Sequence, residues 1–186
     1  MTVCCMADTA AIITQTQNWL RDVVIAHNLC PFARREFDGG HIHYAVVDAV
    51  DAQSQMEALL AECAAMDKDG ERETSLLIFP EALSDFDAYL DVLALANVVL
   101  KESGYEGIYQ LASFHPQYLF EGATLDDAAN YTNRSPYPML HILREASVEA
   151  ALANYPNPEG IPARNVEVTR GLGVRVMQDL LAGCSE

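Results

Sequence analysis

Residues 75–80 read SLLIFP, in which four consecutive apolar residues precede a proline. A short, continuous apolar run is typical of a strand that is covered on both faces, as in the sheets of α/β proteins. Pro80 has no backbone N–H to donate to a sheet, so the strand should end there. The stretch therefore predicts a buried strand with a layer of helices on each side.

Two more strands are predicted around this run. Residues 41–50, HIHYAVVDAV, alternate and are rich in β-branched and aromatic side chains, which predicts a strand over 42–48, and residues 108–114 alternate again. The segments between these strands predict helices over 52–66 and from Ser84 to Gly104. This order predicts an α/β domain with a small, mostly parallel sheet of three or four strands and covering helices. The alternative is a ferredoxin-like α+β arrangement.

The N-terminal region predicts a helix that packs on this sheet. Asp8 or Thr9 can cap it, and apolar residues recur at spacings of three and four until about His27. Asn28 suits a left-handed turn at the helix end, and Leu29 is then placed to fold back over that end.

The C-terminal third is predicted to be helical. Pro138 suits the first position of a helix over residues 138–155. Beyond Pro162 the sequence predicts a helix with a break near Gly171 and Gly173, although residues 165–177 could also form a hairpin.

The length of the chain limits the number of domains, and its net charge limits the kinds of partner that we expect. The 186 residues fit a disordered leader at 1–8 and one globular domain over 9–186. A net charge of −16 repels phosphate backbones and anionic lipids, so we expect neither nucleic acid nor a membrane as partner. No apolar run reaches the roughly 18 residues that a membrane span needs. The oligomeric state is left open.

The cysteines indicate a reducing compartment. There are five, an odd number without regular spacing, which does not form a disulfide framework. Cys4 and Cys5 are expected in a frayed terminus. We therefore predict a cytoplasmic protein.

His115 is the first candidate catalytic residue. If the three strands are parallel, their C-terminal ends share one edge of the sheet, and ligands of open α/β sheets bind at that edge. His115 follows the third strand, and the long irregular loop 116–137 follows His115. Its structural alternative is a histidine that caps a strand end by hydrogen bonds.

The end of the loop predicts an anion site. Asn133, Arg134 and Ser135 come immediately before the predicted helix, where free backbone N–H groups and the helix dipole favour negative charge. Tyr131 is a further candidate ligand-binding residue. In the alternative, Asn133 and Ser135 only turn the chain, and Arg134 pairs with Asp126 or Asp127.

Two other residues are candidates for catalysis. His141 falls in the first turn of the predicted helix, where the dipole favours its neutral form and use as a general base. Cys30 precedes Pro31, which could start a helical turn, and lies near Arg34 and Arg35; both influences would lower the pKa of its thiol and make it a nucleophile. Cys30 could equally be a small buried hydrophobic residue.

Metal binding is a competing chemistry. His41 and His43 project to one side of a predicted strand, and His141 and Glu145 lie one turn apart on the predicted helix. None of these pairs matches a zinc signature, and His41 and His43 also fit the exposed start of an edge strand. Whether the protein uses a cofactor is left open.

Three strings carry a family resemblance: NWLRDVVIAHNLCPFA at 18–33, LASFHPQYLFEG at 111–122 and NYTNRSPYPMLHILRE at 130–145. They resemble the bacterial family catalogued as domain of unknown function 1415, over nearly the whole chain. The resemblance implies no reaction, substrate or cofactor. It implies only that Cys30, His115, residues 133–136, His141 and Arg144 belong to the family's motifs, and Arg144 joins the candidate ligand-binding residues on this ground.

The leading hypothesis is a small cytoplasmic enzyme that binds an anionic small molecule at the loop 115–138 and uses histidine or cysteine for acid–base or nucleophilic chemistry. The first alternative is a module that binds a protein or peptide through the aromatic, proline-rich loop. The second is a metal-binding protein with His and Cys ligands.

Overall fold

A four-stranded sheet forms the centre of the computed structural model, which describes residues 8–185. Its strands are β1 (Ile42–Val46), β2 (Thr74–Ile78), β3 (Tyr109–Phe114) and β4 (Met139–Arg144). The strands lie in the order β1-β2-β4-β3. β1 is parallel to β2, whereas β4 is antiparallel to both β2 and β3.

Helices precede, connect and follow the strands. They are α1 (Thr9–Trp19), which continues as a wider π-helical segment (Leu20–Ile25), α2 (Ala33–Gly39), α3 (Ala52–Lys68), α4 (Phe86–Glu102), α5 (Glu145–Ala153), α6 (Ile161–Leu172) and α7 (Val174–Gly183). Two short 3-10 turns lie at Ala128–Thr132 and Pro158–Gly160. Within residues 8–185, no helix is long and apolar enough to cross a membrane.

The predicted α/β class is confirmed, and the arrangement of the strands is more specific than predicted. β1, β2 and β3 all run in the same direction, because β4 is antiparallel to both strands that it separates. Among the strands of residues 8–185, only β1 and β2 form a parallel hydrogen-bonded pair. The element order β1-α3-β2-α4-β3-β4 differs from the βαββαβ order of the ferredoxin-like alternative.

Two hydrophobic cores lie on opposite faces of the sheet. On the first face, which we call the α1 face, Leu76, Ile78 and Met139 pack with α1 and with parts of α2, α6 and α7. On the second, the α3–α4 face, Leu77 and Leu140 pack with α3 and α4. All five residues of β2 are buried, as its continuous apolar run predicts.

Local capping largely follows the sequence. Asp8 caps α1 by accepting a hydrogen bond from the Ala10 N–H, at 3.1 Å. Asn28 has the expected left-handed backbone, with φ at 52°, and the Leu29 N–H folds back to the carbonyl of Val24 at 2.8 Å. The cap of α4 is Asp85 and not Ser84, because the Asp85 carboxylate reaches the Ala88 N–H at 2.9 Å.

The predicted helix from Pro138 is wrong. Met139–Arg144 is strand β4, and the helix begins only at Glu145. The physical reason is that Met139, Leu140 and Ile142 are fully buried between two covered faces, and the Pro138 carbonyl accepts a hydrogen bond from Phe79, which extends the ladder by one step. Competition from long-range pairing overrides the local preference for a helix after a proline.

The other predictions near the termini have mixed outcomes. Residues 165–177 are helical, with the break at Gly173, whose φ of 85° interrupts α6 and α7, so the hairpin does not form. Of the predicted disordered leader, residues 1–7 with Cys4 and Cys5 lie outside the described residues. Asp8, its last residue, is the cap of α1.

Candidate functional site

A cavity of about 270 Å³ lies between the α1 face of the sheet and helices α1, α2 and α5. Its wall is mostly apolar and includes Trp19, Leu20, Val24, Phe32, Phe114 and Leu143. Alanines line it from three elements, Ala33 of α2, Ala112 of β3 and Ala151 of α5. Because alanine side chains stop at Cβ, these positions leave open the space that larger core residues would fill.

His141 projects from β4 into the wall of this cavity, and its hydrogen bonds fix its tautomer. The Thr74 hydroxyl lies 2.6 Å from the Ile142 carbonyl oxygen and 2.6 Å from the Nε2 atom of His141. The carbonyl can only accept, so the single hydroxyl proton goes to it, and Nε2–H must donate to the Thr74 oxygen. The Nδ1 atom of His141 has no partner within residues 8–185 and is a free acceptor.

His141 is neutral at physiological pH. Burial lowers the pKa of the ring from its ordinary value of 6.5 to about 4. The predicted neutral form is therefore correct, but its cause is desolvation inside the protein and not the end of a helix. A base this weak is poorly matched to proton abstraction near pH 7 and is well suited to accept a hydrogen bond.

Glu73 is an acidic residue of the cavity wall whose carboxylate has no ion-pair partner within residues 8–185. It directly precedes β2, and its N–H continues the sheet by donating to the His41 carbonyl at 3.0 Å. Its side chain forms no ion pair or hydrogen bond with any residue from 8 to 185, and its Oε1 atom is sealed from solvent. A second carboxylate of the wall, that of Glu36, differs because it lies 2.9 Å from His41 Nδ1.

Cys30 lines the same cavity, but the predicted activation of its thiol is wrong. Burial raises the pKa of Cys30, and hydrogen bonds to the backbone of Phe32 and Ala33 offset this only in part. No helix starts at Pro31; α2 begins at Ala33, and Arg34 and Arg35 are exposed to solvent. The thiol therefore stays protonated at neutral pH.

The helix that was expected to form the anion site does not follow the loop, because strand β4 begins there. Arg134 instead holds the loop together: its Nε donates to the Tyr118 carbonyl at 3.1 Å and its Nη2 to the Leu125 carbonyl at 3.2 Å. Its guanidinium lies 4.6 Å from the centre of the Tyr131 ring, which is itself buried. The expected pairing with Asp126 or Asp127 does not form.

The neighbours of Arg134 also make structural contacts. Asn133 donates from Nδ2 to the Ser113 carbonyl at 3.0 Å, and the Ser135 hydroxyl donates to the Tyr137 carbonyl at 2.6 Å. Asp127 pairs with Arg170 at 2.6 Å, a contact that lowers the pKa of Asp127 to about 2. The loop is thus ordered by its own polar residues.

His115 lies at the sheet edge that the parallel strands predict, but both of its ring nitrogens are in use. The ring is fully buried, Nε2–H donates to the Leu83 carbonyl at 2.8 Å, and Nδ1 accepts from the Gln117 N–H at 3.0 Å. The rings of Phe86 and Tyr89 lie 5.1 and 5.0 Å away, and burial lowers the pKa of His115. These contacts match the strand-capping alternative.

Arg144 lines the rim of the cavity, but its guanidinium makes its hydrogen bonds on the α3–α4 face of the sheet. The guanidinium donates to the carbonyls of Met66, Asp69 and Arg72, at 2.5 to 3.3 Å, and to the Tyr109 hydroxyl at 3.2 Å. It ties the end of α3 to the sheet and is not available to a ligand.

A second polar cluster lies on the α3–α4 face. One oxygen of the nearly buried Glu62 carboxylate is 2.7 Å from His43, 2.8 Å from Arg72 and 2.8 Å from the Ser75 hydroxyl. The cluster joins α3 to β1 and β2. Neither it nor the pairs His41/His43 and His141/Glu145 amount to a metal centre: among residues 8–185 no three His, Cys, Asp or Glu side chains are placed to hold a metal ion.

The structure thus brings together three of the eight sequence-predicted site residues, Cys30, His141 and Arg144, and places His115 and residues 131–135 elsewhere. It adds Glu73 and Thr74, which the sequence reasoning missed. Their signal was present in the charged segment GERET at 70–74, which puts a carboxylate directly before a buried strand.

Comparison with known proteins is consistent with the family resemblance. No curated protein and no solved structure matches the chain. The family model described as "Protein of unknown function (DUF1415)" matches residues 11–179, a span that includes every wall residue discussed above. The chain belongs to this DUF1415 family.

Proposed function

We propose that this protein binds a small, largely apolar molecule in the cavity between the α1 face and helices α1, α2 and α5. One observation carries the proposal: a cavity of about 270 Å³ with a mostly apolar wall also holds a neutral histidine with a free acceptor and a carboxylate without a partner. Ligand sites typically combine an apolar lining with a few polar groups that fix orientation.

The size of the cavity limits its occupant. An apolar cavity of roughly 150 Å³ is known to accommodate benzene, so about 270 Å³ suits one ring with a short chain. Drug-sized ligands occupy sites of roughly 300–1,000 Å³ and would need more space.

We favour ligand binding over catalysis because of the protonation states of Cys30 and His141 in the cavity. A protonated Cys30 thiol and a weakly basic His141 are not an activated nucleophile and its base. Acid–base or nucleophilic use of Cys30, His115 and His141, an anionic ligand at the loop 115–138, and protein or peptide docking on that loop stay predictions. The free thiols of Cys30, Cys63 and Cys184 support a location in the reducing cytoplasm.

The test measures the binding of a neutral probe to the wild-type protein and to a variant whose cavity is filled by a larger side chain. Propylbenzene should bind the wild-type protein, as followed by calorimetry and by the fluorescence of Trp19, the single tryptophan, which lines the cavity. Ala151→Phe fills space in the wall and should weaken binding at least tenfold. Ala150→Phe, an exposed neighbour on the same helix, is the matched control and should leave the affinity within about twofold. Equal affinities in the two variants, or no binding to the wild type, would refute the proposal.

A further inference from the structure

The carboxylate of Glu73 lacks a counter-charge within the described residues. It lines the cavity, one of its oxygens is sealed from solvent, and no side chain from residues 8–185 donates to it. Glu73 as a residue is only partly buried, but a carboxylate oxygen that is sealed from water is normally paired or hydrogen-bonded, because its desolvation is otherwise destabilising. An unpaired carboxylate in the wall of an open cavity therefore points to a partner that enters the cavity.

The arginines closest to Glu73 in the sequence and in the cavity wall are engaged with other groups. Arg72 donates to Glu62 at 2.8 Å, and Arg144 donates to three backbone carbonyls and the Tyr109 hydroxyl. Moving either one to Glu73 would leave Glu62 or those carbonyls unpaired. The missing positive charge is thus not supplied by these residues.

The other polar groups of the inner wall also favour a ligand that donates hydrogen bonds. His141 presents the free acceptor Nδ1, while its one N–H is used on Thr74. Gln110, which could donate, is exposed on the rim. The net charge of −16 further raises the local concentration of cations and lowers that of anions around the protein.

We infer that the occupant of the cavity is a small organic amine whose protonated nitrogen pairs with Glu73 and whose apolar body fills the space beneath the sheet. This inference rests on the proposed function and names the class of ligand. An ammonium group supplies both the charge and the hydrogen-bond donors that the carboxylate lacks. Rotation about the terminal side-chain bond of Glu73 allows either oxygen to face the ligand, since that torsion is soft.

The experiment compares three probes of similar shape at pH 7 by calorimetry. Phenethylamine carries an ammonium group, propylbenzene replaces it by a methyl group, and in phenylacetate a carboxylate takes the place of the terminal CH2–NH3+ unit. Phenethylamine should bind at least tenfold more tightly than propylbenzene, as expected for a hydrogen bond to a charged group, and phenylacetate should bind most weakly.

Two variants assign the preference to Glu73. Glu73→Gln keeps the shape of the side chain and removes its charge, and should reduce the ratio of amine to hydrocarbon affinity at least tenfold. Glu71→Gln makes the same charge change two residues away on the exposed surface and should leave the ratio within about twofold.

The three probes separate a preference for amines from binding in the cavity itself. If propylbenzene binds in the cavity but phenethylamine gains nothing over it, or if Glu73→Gln leaves the preference intact, the amine inference is overturned and the proposed function stands. If none of the three probes binds, both are overturned.

Discussion

Protonation of His141 should destabilise the fold between pH 7 and pH 5. Burial lowers the pKa of this ring to about 4, whereas a histidine in the unfolded chain titrates near about 6.5. The unfolded state therefore holds the proton more tightly than the folded state over this interval. Stability is fully present above about pH 6.5 and is lost progressively as pH falls toward the folded pKa. These two pKa values predict a loss of about 2 kcal/mol in unfolding free energy between pH 7 and pH 5.

Urea unfolding followed by Trp19 fluorescence measures this loss, in the wild type and in His141→Leu. Leucine removes the titrating ring, while the Thr74 hydroxyl keeps its bond to the Ile142 carbonyl. The difference between the two pH profiles isolates His141, because the other groups with a lowered pKa, such as His115 and Asp127, are present in both proteins. Measurements stop at pH 5, above the isoelectric point near 4.5, where solubility is lowest. Parallel profiles would show that His141 does not titrate as a buried histidine.

Three further substitutions test the structural roles of polar groups. His115→Ala should destabilise the protein by about 3 kcal/mol, because it empties a buried site and leaves the Leu83 carbonyl unpaired; a change below about 1 kcal/mol in urea unfolding would contradict that role. Glu62→Gln should destabilise by about 3 kcal/mol, since the charge of Arg72 then loses its partner, and a matching recovery in the double variant with Arg72→Met checks the pairing. Glu73→Gln should stabilise the unliganded protein by about 1 kcal/mol, because it removes an unpaired charge; a loss of stability would reveal a partner for that carboxylate.

The fold class follows from sequence because it rests on local signals that the tertiary structure reinforces. The buried run at 75–78, the alternation before and after it and the left-handed turn at Asn28 each predict the element that forms. The strand at 139–144 was missed because its residues suit either a helix or a strand. Its pairing with β2 and β3, which are distant in the sequence, decides between the two.

The candidate site was only partly predictable for a related reason. Cys30 and His141 are recognisable from the sequence as residue types with reactive side chains, and both line the cavity. The sequence attributes the pKa shifts of both side chains to helix ends, but the chain has a turn at Cys30 and a strand at His141. Desolvation sets the shifts instead: it raises the pKa of Cys30 and lowers that of His141. Glu73 is invisible to motif reasoning, since its importance lies in the partner that it lacks.

The expected edge site illustrates the limit of a topological rule. His115 does lie at the C-terminal edge of β3, yet the cavity is on the α1 face, toward the starts of β1 and β2, at Ile42 and Thr74. The rule of a crevice at the C-terminal edge holds for open parallel sheets, and here the antiparallel strand β4 separates β2 from β3.

Mapping amide chemical shifts during a titration with phenethylamine shows whether the ligand enters the cavity or binds the loop 115–135. We expect the largest changes on the backbone around Glu73, His141 and Ala151, with small changes over residues 115–135. Changes concentrated on the loop at Asn133 and Arg134, with the cavity residues unaffected, would contradict this expectation.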